Sequence, residues 1–506
     1  MRDAAAPPAD GAIDLGALAA RFPRTAAAFA DLPVAPAERE ATLRHVVALE
    51  RAFAGRRQSL RRDDRGAPAT DRDVEFDVAL AGGGLSLLYG VYLARAGYRV
   101  VICDRRRIGC GHREWNVSRP ELRPLSASGL FDEAEVDRLV LLAYRRGIVR
   151  WHGGDTYPVR GVLDCVVDAQ GLLDALRQRA LAAGATLLDH HQAVAYGVGP
   201  AGVALDLVGP GGPRRVTARL LIDATGASSP HAEFDLVCPT VGGVLAGLAQ
   251  GQGMDELDPE TGEILISTEG VEDGRQHIWE GFPTLGARLT TYLFYYTEPG
   301  TLGEHPLLAL YERFFECLPR YKRGPAVLER ATYGFIPAYT RLGPRPVAPA
   351  PRVVLVGDAA GRHSPLTFCG FGSMMRSFHP VAQALAERLA ADRLSQRALT
   401  EVWGEPPGLK VMGGLALTMS PRPGSGAGQE INHLLDVAFA SLAELGEDVY
   451  GRFIRDEVGF ADFCRFLGAI ARRHPGVYRQ VLRHLTPREL LSWSWQFLSF
   501  GVSSEA

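Results

Sequence analysis

The stretch from Asp77 to Asp104, DVALAGGGLSLLYGVYLARAGYRVVICD, constrains the fold more than any other part of this chain. Val78-Ala79-Leu80-Ala81 is a short apolar run that ends in Gly82-Gly83-Gly84. A helical pattern follows, with Leu85, Leu88, Tyr92 and Leu93 on one face and Gly97 closing it. Arg99 to Cys103 reads as a second strand, and Asp104 stands at its end, twenty-two residues after Gly82. Strand, glycine turn, helix, strand and acid come in the order a dinucleotide-binding βαβ unit requires. Such a turn aims bare N–H groups and the positive end of a helix dipole at a pyrophosphate. Asp104 is placed to accept a hydrogen bond from a ribose hydroxyl. The third glycine of the usual fingerprint falls on Leu87, and Gly90 takes over the close approach of helix to strand. A plain βαβ unit without a ligand has the same outline, so a second signal has to decide.

That signal is Val353-Val354-Leu355-Val356-Gly357-Asp358-Ala359-Ala360-Gly361, followed by RHSPLTFCGFGSMMR to Arg376 and a long helix to about Leu389. Asp358 is suited to a ribityl hydroxyl. Gly370 and Gly372 let backbone N–H groups approach a pyrophosphate and a flavin's pyrimidine edge. Between the two signals, Leu220-Leu221-Ile222-Asp223 is a buried strand that ends in Ala224-Thr225-Gly226. Two nucleotide signatures far apart in the correct order point to FAD.

The chain has 506 residues, enough for two or three lobes. With 46% hydrophobic residues, 22% charged residues and a net charge of −3, it shows none of the basic excess that nucleic-acid binding needs. Seven scattered cysteines with no CxxC pair point to a reducing cytoplasm and to neither a disulfide framework nor a metal site. No signal peptide and no apolar run of about eighteen residues is present, so the expectation is a soluble protein or one resting on a membrane surface.

In order, residues 1–75 read as an N-terminal helical extension and linker. Leu43, Val46, Val47, Leu49 and Phe53 have helical spacing, and the basic run Arg56 to Arg62 reads as solvated. Ser118 and Glu121 form a capping box, with Pro120 in the first turn. Residues 237–300 hold β-branched and aromatic runs separated by glycine and acid clusters, an antiparallel sheet suited to roof a flavin. Leu307–Leu318 is a helix. Past residue 400, helical patterns cover Ile431–Leu445, Asp456–Ile470, Tyr478–Leu485 and Glu489–Phe500. The last carries Trp493, Trp495, Phe497 and Phe500, to be packed on the core or laid on a membrane.

The predicted class is α/β: a glutathione-reductase-type, Rossmann-like FAD-binding domain (76–236 and 331–395), an antiparallel-sheet substrate domain (237–330) and a C-terminal helical region (396–506). The cofactor set is Gly82, Gly83, Gly84, Leu85, Asp104, Arg105, Arg113, Asn116, Ala224, Thr225, Gly226, Gly357, Asp358, Pro365, Gly370, Phe371 and Gly372.

Four tracts resemble the CruA/CruP-type lycopene cyclases and their paralogues: REWNVSRPEL (113–122), IWEGFP (278–283), GDAAGRHSPLTFCGFGSMMR (357–376) and MSPRPGSGAGQEINHLLDVAFASLAELG (419–446). The resemblance implies a carotenoid substrate, FAD used without net redox and in its reduced form, and association with a membrane surface. Ring closure on lycopene needs a proton delivered to a terminal alkene, a cation held among π clouds or carboxylates, and a proton removed. Glu280 sits between Trp279 and Phe282, where a buried carboxyl would hold its proton. Trp279, Phe282, Tyr292, Phe294 and Phe335 are candidates for the aromatic wall, and His363 for a second proton carrier. The alternative classes are an NAD(P)H-fed reductase or monooxygenase on a polyprenoid-like substrate, and a pigment-binding paralogue that does not cyclise. A flavin halogenase would show a GWxWxIP tract; Trp493-Ser494-Trp495 resembles one only superficially and far too late in the chain.

Overall fold

The computed structural model describes residues 14–56, 59–111, 113–339, 347–363, 370–404, 407–415, 430–479 and 486–504. Strand Phe76–Ala81 lies parallel between Val100–Cys103 and the end of Gly212–Asp223. Thr186–Leu188 and Val353–Leu355 extend this parallel core at either side. Helices Leu87–Arg95, Ala169–Ala182 and Gly370–Ala390 bury one face against Val78, Leu80, Val100 and Ile102. The other face, with Ala79, Ala81 and Val101, is covered by the meander Gln192–Val198, Val203–Gly209 and Gly212–Asp223. A sheet covered on both faces is why its strands read as unbroken apolar runs. Gly90 does replace the missing third glycine: a Cβ there would fall 2.8 Å from the Ile102 side chain, while Leu87 is wholly buried.

A second, seven-stranded sheet has the order Val327–Ala338, Leu236–Ala246, Arg288–Phe294, Ile278–Thr284, Thr261–Ile266, Arg146–Arg150, Thr156–Val159. The antiparallel sheet expected over 237–300 is its centre. It also takes two strands from residues 146–159, and its last strand crosses residue 330. Its side chains alternate between two cores. Ile278, Phe282, Tyr292 and Phe294 join the C-terminal helices, whereas Trp279, Leu289, Leu293 and Val241 join helix Pro306–Tyr321 and the N-terminal helices.

The helical extension expected at the N-terminus forms over residues 15–54 and is part of the core. Helices Leu15–Arg21, Pro23–Ala30 and Pro36–Ala54 pack behind the second sheet, burying Phe29, Val46, Val47 and Phe53. Glu50 fixes this arm by accepting from the N–H groups of Leu307 (2.8 Å) and Leu308 (3.2 Å) at the start of Pro306–Tyr321. Beyond it, Arg61–Arg62 adds an exposed edge strand to the first sheet. In the C-terminal region, Glu430–Leu445 and Pro487–Ser504 match expectation. The Asp456 helix does not, because Asp456 turns left-handed (φ 58°), so one helix ends at Ile454 and the next begins at Phe460. Most of the Tyr478–Leu485 helix lies outside the described residues. Among the described residues no helix is long and apolar enough to cross a membrane.

Candidate active site

The two sheets meet at a cleft of about 280 Å³. Its floor is built from the glycine turn. Gly82 takes φ +120°, and a Cβ there would lie 2.5 Å from the Ala224 carbonyl oxygen, so the turn sits directly on the Ala224-Thr225-Gly226 corner. Asp104 closes the turn: its carboxylate accepts from Gly83 N–H at 2.7 Å and from Arg106 N–H at 2.8 Å. The acid expected to meet a ribose therefore also holds the loop in shape. Gly84 has open space where a Cβ would stand, and with Leu85 and Ser86 it faces the cleft. Ala224, Gly226, Gly357, Asp358, Gly370, Phe371 and Gly372 line the same space. Gly82, Gly83, Asp104, Arg105 and Thr225 do not line it, and Pro365 lies outside the described residues.

The two tracts 113–122 and 357–376 are one unit in space. The expected Ser118–Glu121 capping box forms, with Ser118 N–H donating to Glu121 at 3.0 Å. The Glu121 carboxylate pairs with Arg376. Burial pushes the Glu121 carboxyl up, and Arg376 opposes that shift. A side chain at Gly372 would strike this carboxylate, so only glycine lets the helix seat here. Above it Trp115 stacks on Phe371, with ring centres 4.8 Å apart and planes at 16°. Trp115 lines the cleft and was visible in the sequence only as a member of its tract.

Glu280 lines the cleft from strand Ile278–Thr284 and stands directly across from Tyr292 on the neighbouring strand. Burial pushes its carboxyl up to about 7, and a hydrogen bond from the Asn116 side chain pulls the other way. The Tyr292 hydroxyl accepts from Glu114 N–H (3.0 Å) and donates to Glu114 C=O (2.8 Å), locking the acid's neighbour to the 113–122 tract. Arg113 and Asn116 also line the cleft. His363 lines it too; it is 8% exposed, and its Nε2 has no hydrogen-bond partner among the described residues.

Trp279 requires a correction. Strand alternation sends it to the opposite face from Glu280, where it is buried against Tyr321 (4.3 Å, stacked) and Phe314 (5.2 Å). Phe335 likewise faces the N-terminal arm, stacked on Phe53 at 4.0 Å, and Phe282 is buried within the core shared with the C-terminal helices. The aromatic wall consists of Tyr292 and Phe294 with three rings outside the expected set, Trp115, Tyr333 and Phe371. The N-terminal arm reaches this wall, as His45 Nδ1 lies 2.6 Å from the Tyr333 hydroxyl. Burial, with Arg106 and Arg105 nearby, pushes His45 down to about 4, so it is neutral there.

No family model and no curated protein matches the chain. Its fold is shared with solved structures. A geranylgeranyl bacteriochlorophyll reductase-like protein from Thermoplasma acidophilum is 15% identical, with TM-score 0.54, covering 81% of this chain and 99% of that one. Halogenase PltM, solved with phloroglucinol and FAD, is 15% identical, with TM-score 0.53 and coverage of 85% and 92%. The flavin-dependent halogenase CmlS is 16% identical, with TM-score 0.52 and coverage of 84% and 78%. The chain thus shares the mixed α/β fold of these three proteins.

Proposed function

We propose that this protein is an FAD-dependent oxidoreductase that acts on a hydrophobic, polyprenoid-like substrate, with its nucleotide half of the glutathione-reductase type. The residues present fit the cofactor. The open side of Gly84, the Gly370–Gly372 helix start and the Nε2 of His363, without a partner among the described residues, converge on one cleft, where a dinucleotide needs close backbone and a polar partner. Gly84, Leu85, Asp358, Gly370 and Gly372 would hold FAD, which when bound supplies two-electron chemistry fed by NAD(P)H.

The observation that carries the catalytic reading is Glu280, a carboxyl at the sheet face of that cleft whose proton burial holds up to about pH 7. Reduction of an alkene requires a proton at one carbon, and Glu280 is the group placed to deliver it. Asn116 orients its carboxyl, while Tyr292, Phe294 and Trp115 keep water from the proton's path. Halogenation is not part of this reading, since the sequence holds no GWxWxIP tract. The test is anaerobic turnover of polyprenoid alkenes with NADPH in deuterated water. Stoichiometric NADPH consumption with one solvent deuteron per reduced bond supports the reading; product without NADPH use sinks it.

A second reading is acid-initiated cyclisation of a carotene end group without net redox. It is favoured by the place of Glu280 inside the IWEGFP tract and by the π faces across the cleft. Expression in lycopene-accumulating cells separates the two, because cyclic carotenes isomeric with lycopene would favour cyclisation.

A further inference from the structure

The C-terminal helix Pro487–Ser504 has two apolar faces, and among the described residues only one packs on the rest of the fold. Trp493, Phe497 and Phe500 turn inward: Trp493 donates to Val411 C=O at 3.3 Å and stacks on Phe497, which meets Phe460 at 5.2 Å. Leu491, Trp495, Leu498 and Val502 turn outward and are 73%, 72%, 62% and 74% exposed. Their spacing of four, three and four residues places them on a single strip about 16 Å long. The helix carries no charged residue beyond Glu489.

The surroundings decide what this strip meets. From Arg472 to Ser504 the sequence has five arginines and a single acid, Glu489, in a chain whose net charge is −3; Arg472 and Arg473 pair with Glu444. Arg488 is exposed in the first turn of this helix, and in the segment before it Arg479 is exposed and Tyr478 is 44% exposed. A strip one side chain wide falls well short of the ~800 Å² per partner that a stable protein interface buries. An apolar strip carrying a tryptophan, with exposed Arg488 at its start and Arg479 shortly before it in sequence, matches the boundary of an anionic lipid bilayer. We propose that this helix docks the protein on an anionic membrane surface, lying in the headgroup plane with Leu491, Trp495, Leu498 and Val502 inserted. The proposal is independent of the reaction in the cleft.

Flotation of the full-length protein with vesicles tests it. Vesicles of phosphatidylcholine with phosphatidylglycerol should carry the protein upward, less so at high salt, and brominated lipids should quench tryptophan emission. Leu491→Ser combined with Leu498→Ser should weaken binding at least ~tenfold, with the circular dichroism spectrum and flavin content unchanged. Arg479→Glu with Arg488→Glu should abolish the preference for anionic over zwitterionic vesicles. Wild-type protein that floats with neither kind of vesicle, or a double serine variant that binds like wild type, would overturn the proposal. So would light scattering that shows a dimer dependent on Leu491 and Leu498 without lipid binding.

Discussion

Glu280 concentrates the chemistry of the cleft in one group, and its behaviour with pH can be worked out. Its folded pKa, about 7, lies above the ordinary 4.5, so the folded protein holds this proton where the unfolded chain has lost it. Any stability from that proton is complete below pH 4.5 and is lost as pH rises to about 7, amounting to about 3 kcal/mol at most. Glu280→Gln should therefore flatten the pH dependence of thermal melting between pH 5 and 8. It should also lower turnover by about 10²- to 10⁴-fold without loss of bound flavin. In the wild type, turnover should fall as pH rises through about 7; a rate that rises across that point would show that the carboxylate is the working form. The sequence exposed this acid because a carboxylate flanked by Trp279 and Phe282 has little other reason to sit in an apolar strand. Trp279 was misplaced because adjacency along a strand means opposite faces, and period two outranks proximity in sequence.

Among the elements, the helix Gly370–Ala390 and the 113–122 tract depend on each other through Glu121. Gly372→Ala would force a methyl group into that carboxylate, which is itself held by Ser118 and Arg376. The helix start should retreat from the cleft, and FAD affinity should drop at least ~tenfold by fluorescence titration while the fold survives. The capping box was legible as local spacing; its long-range partner Arg376 was not, because 255 residues separate the two in sequence. The N-terminal arm makes the same point. Helical spacing of Val46, Val47 and Phe53 was visible, but whether such a stripe is buried depends on a distant sheet. Glu50→Ala should cost about 2 kcal/mol in urea unfolding, since it removes a carboxylate that accepts from two helix-start N–H groups and from His305 at 2.8 Å.

For the molecule as a whole, the cleft joins the nucleotide sheet to the second sheet, so a ligand bound there ties both to the folded state. FAD at a hundred times its Kd should stabilise the protein by about 2.7 kcal/mol, visible as a raised melting temperature. No shift, with no flavin retained on gel filtration, would remove the basis of the functional reading. Most of the parallel core was legible, because Phe76–Ala81, the end of Gly212–Asp223 and Val353–Leu355 are apolar runs leading into a glycine and Val100–Cys103 is one ending at Asp104, whereas Thr186–Leu188 carries no such mark. The second sheet was legible only at its centre, because Arg146–Arg150 and Thr156–Val159 join it across a parallel contact that no local pattern announces. The rear of that sheet has a practical consequence. A gene trimmed to begin at the first nucleotide strand would look like a tidy enzyme on paper, yet Trp279, Tyr311, Phe314 and Phe335 belong to the same core as the helices removed. Such a shortened protein should come out of cells as insoluble aggregate, and supplying the missing leader as a separate peptide should restore part of it to solution.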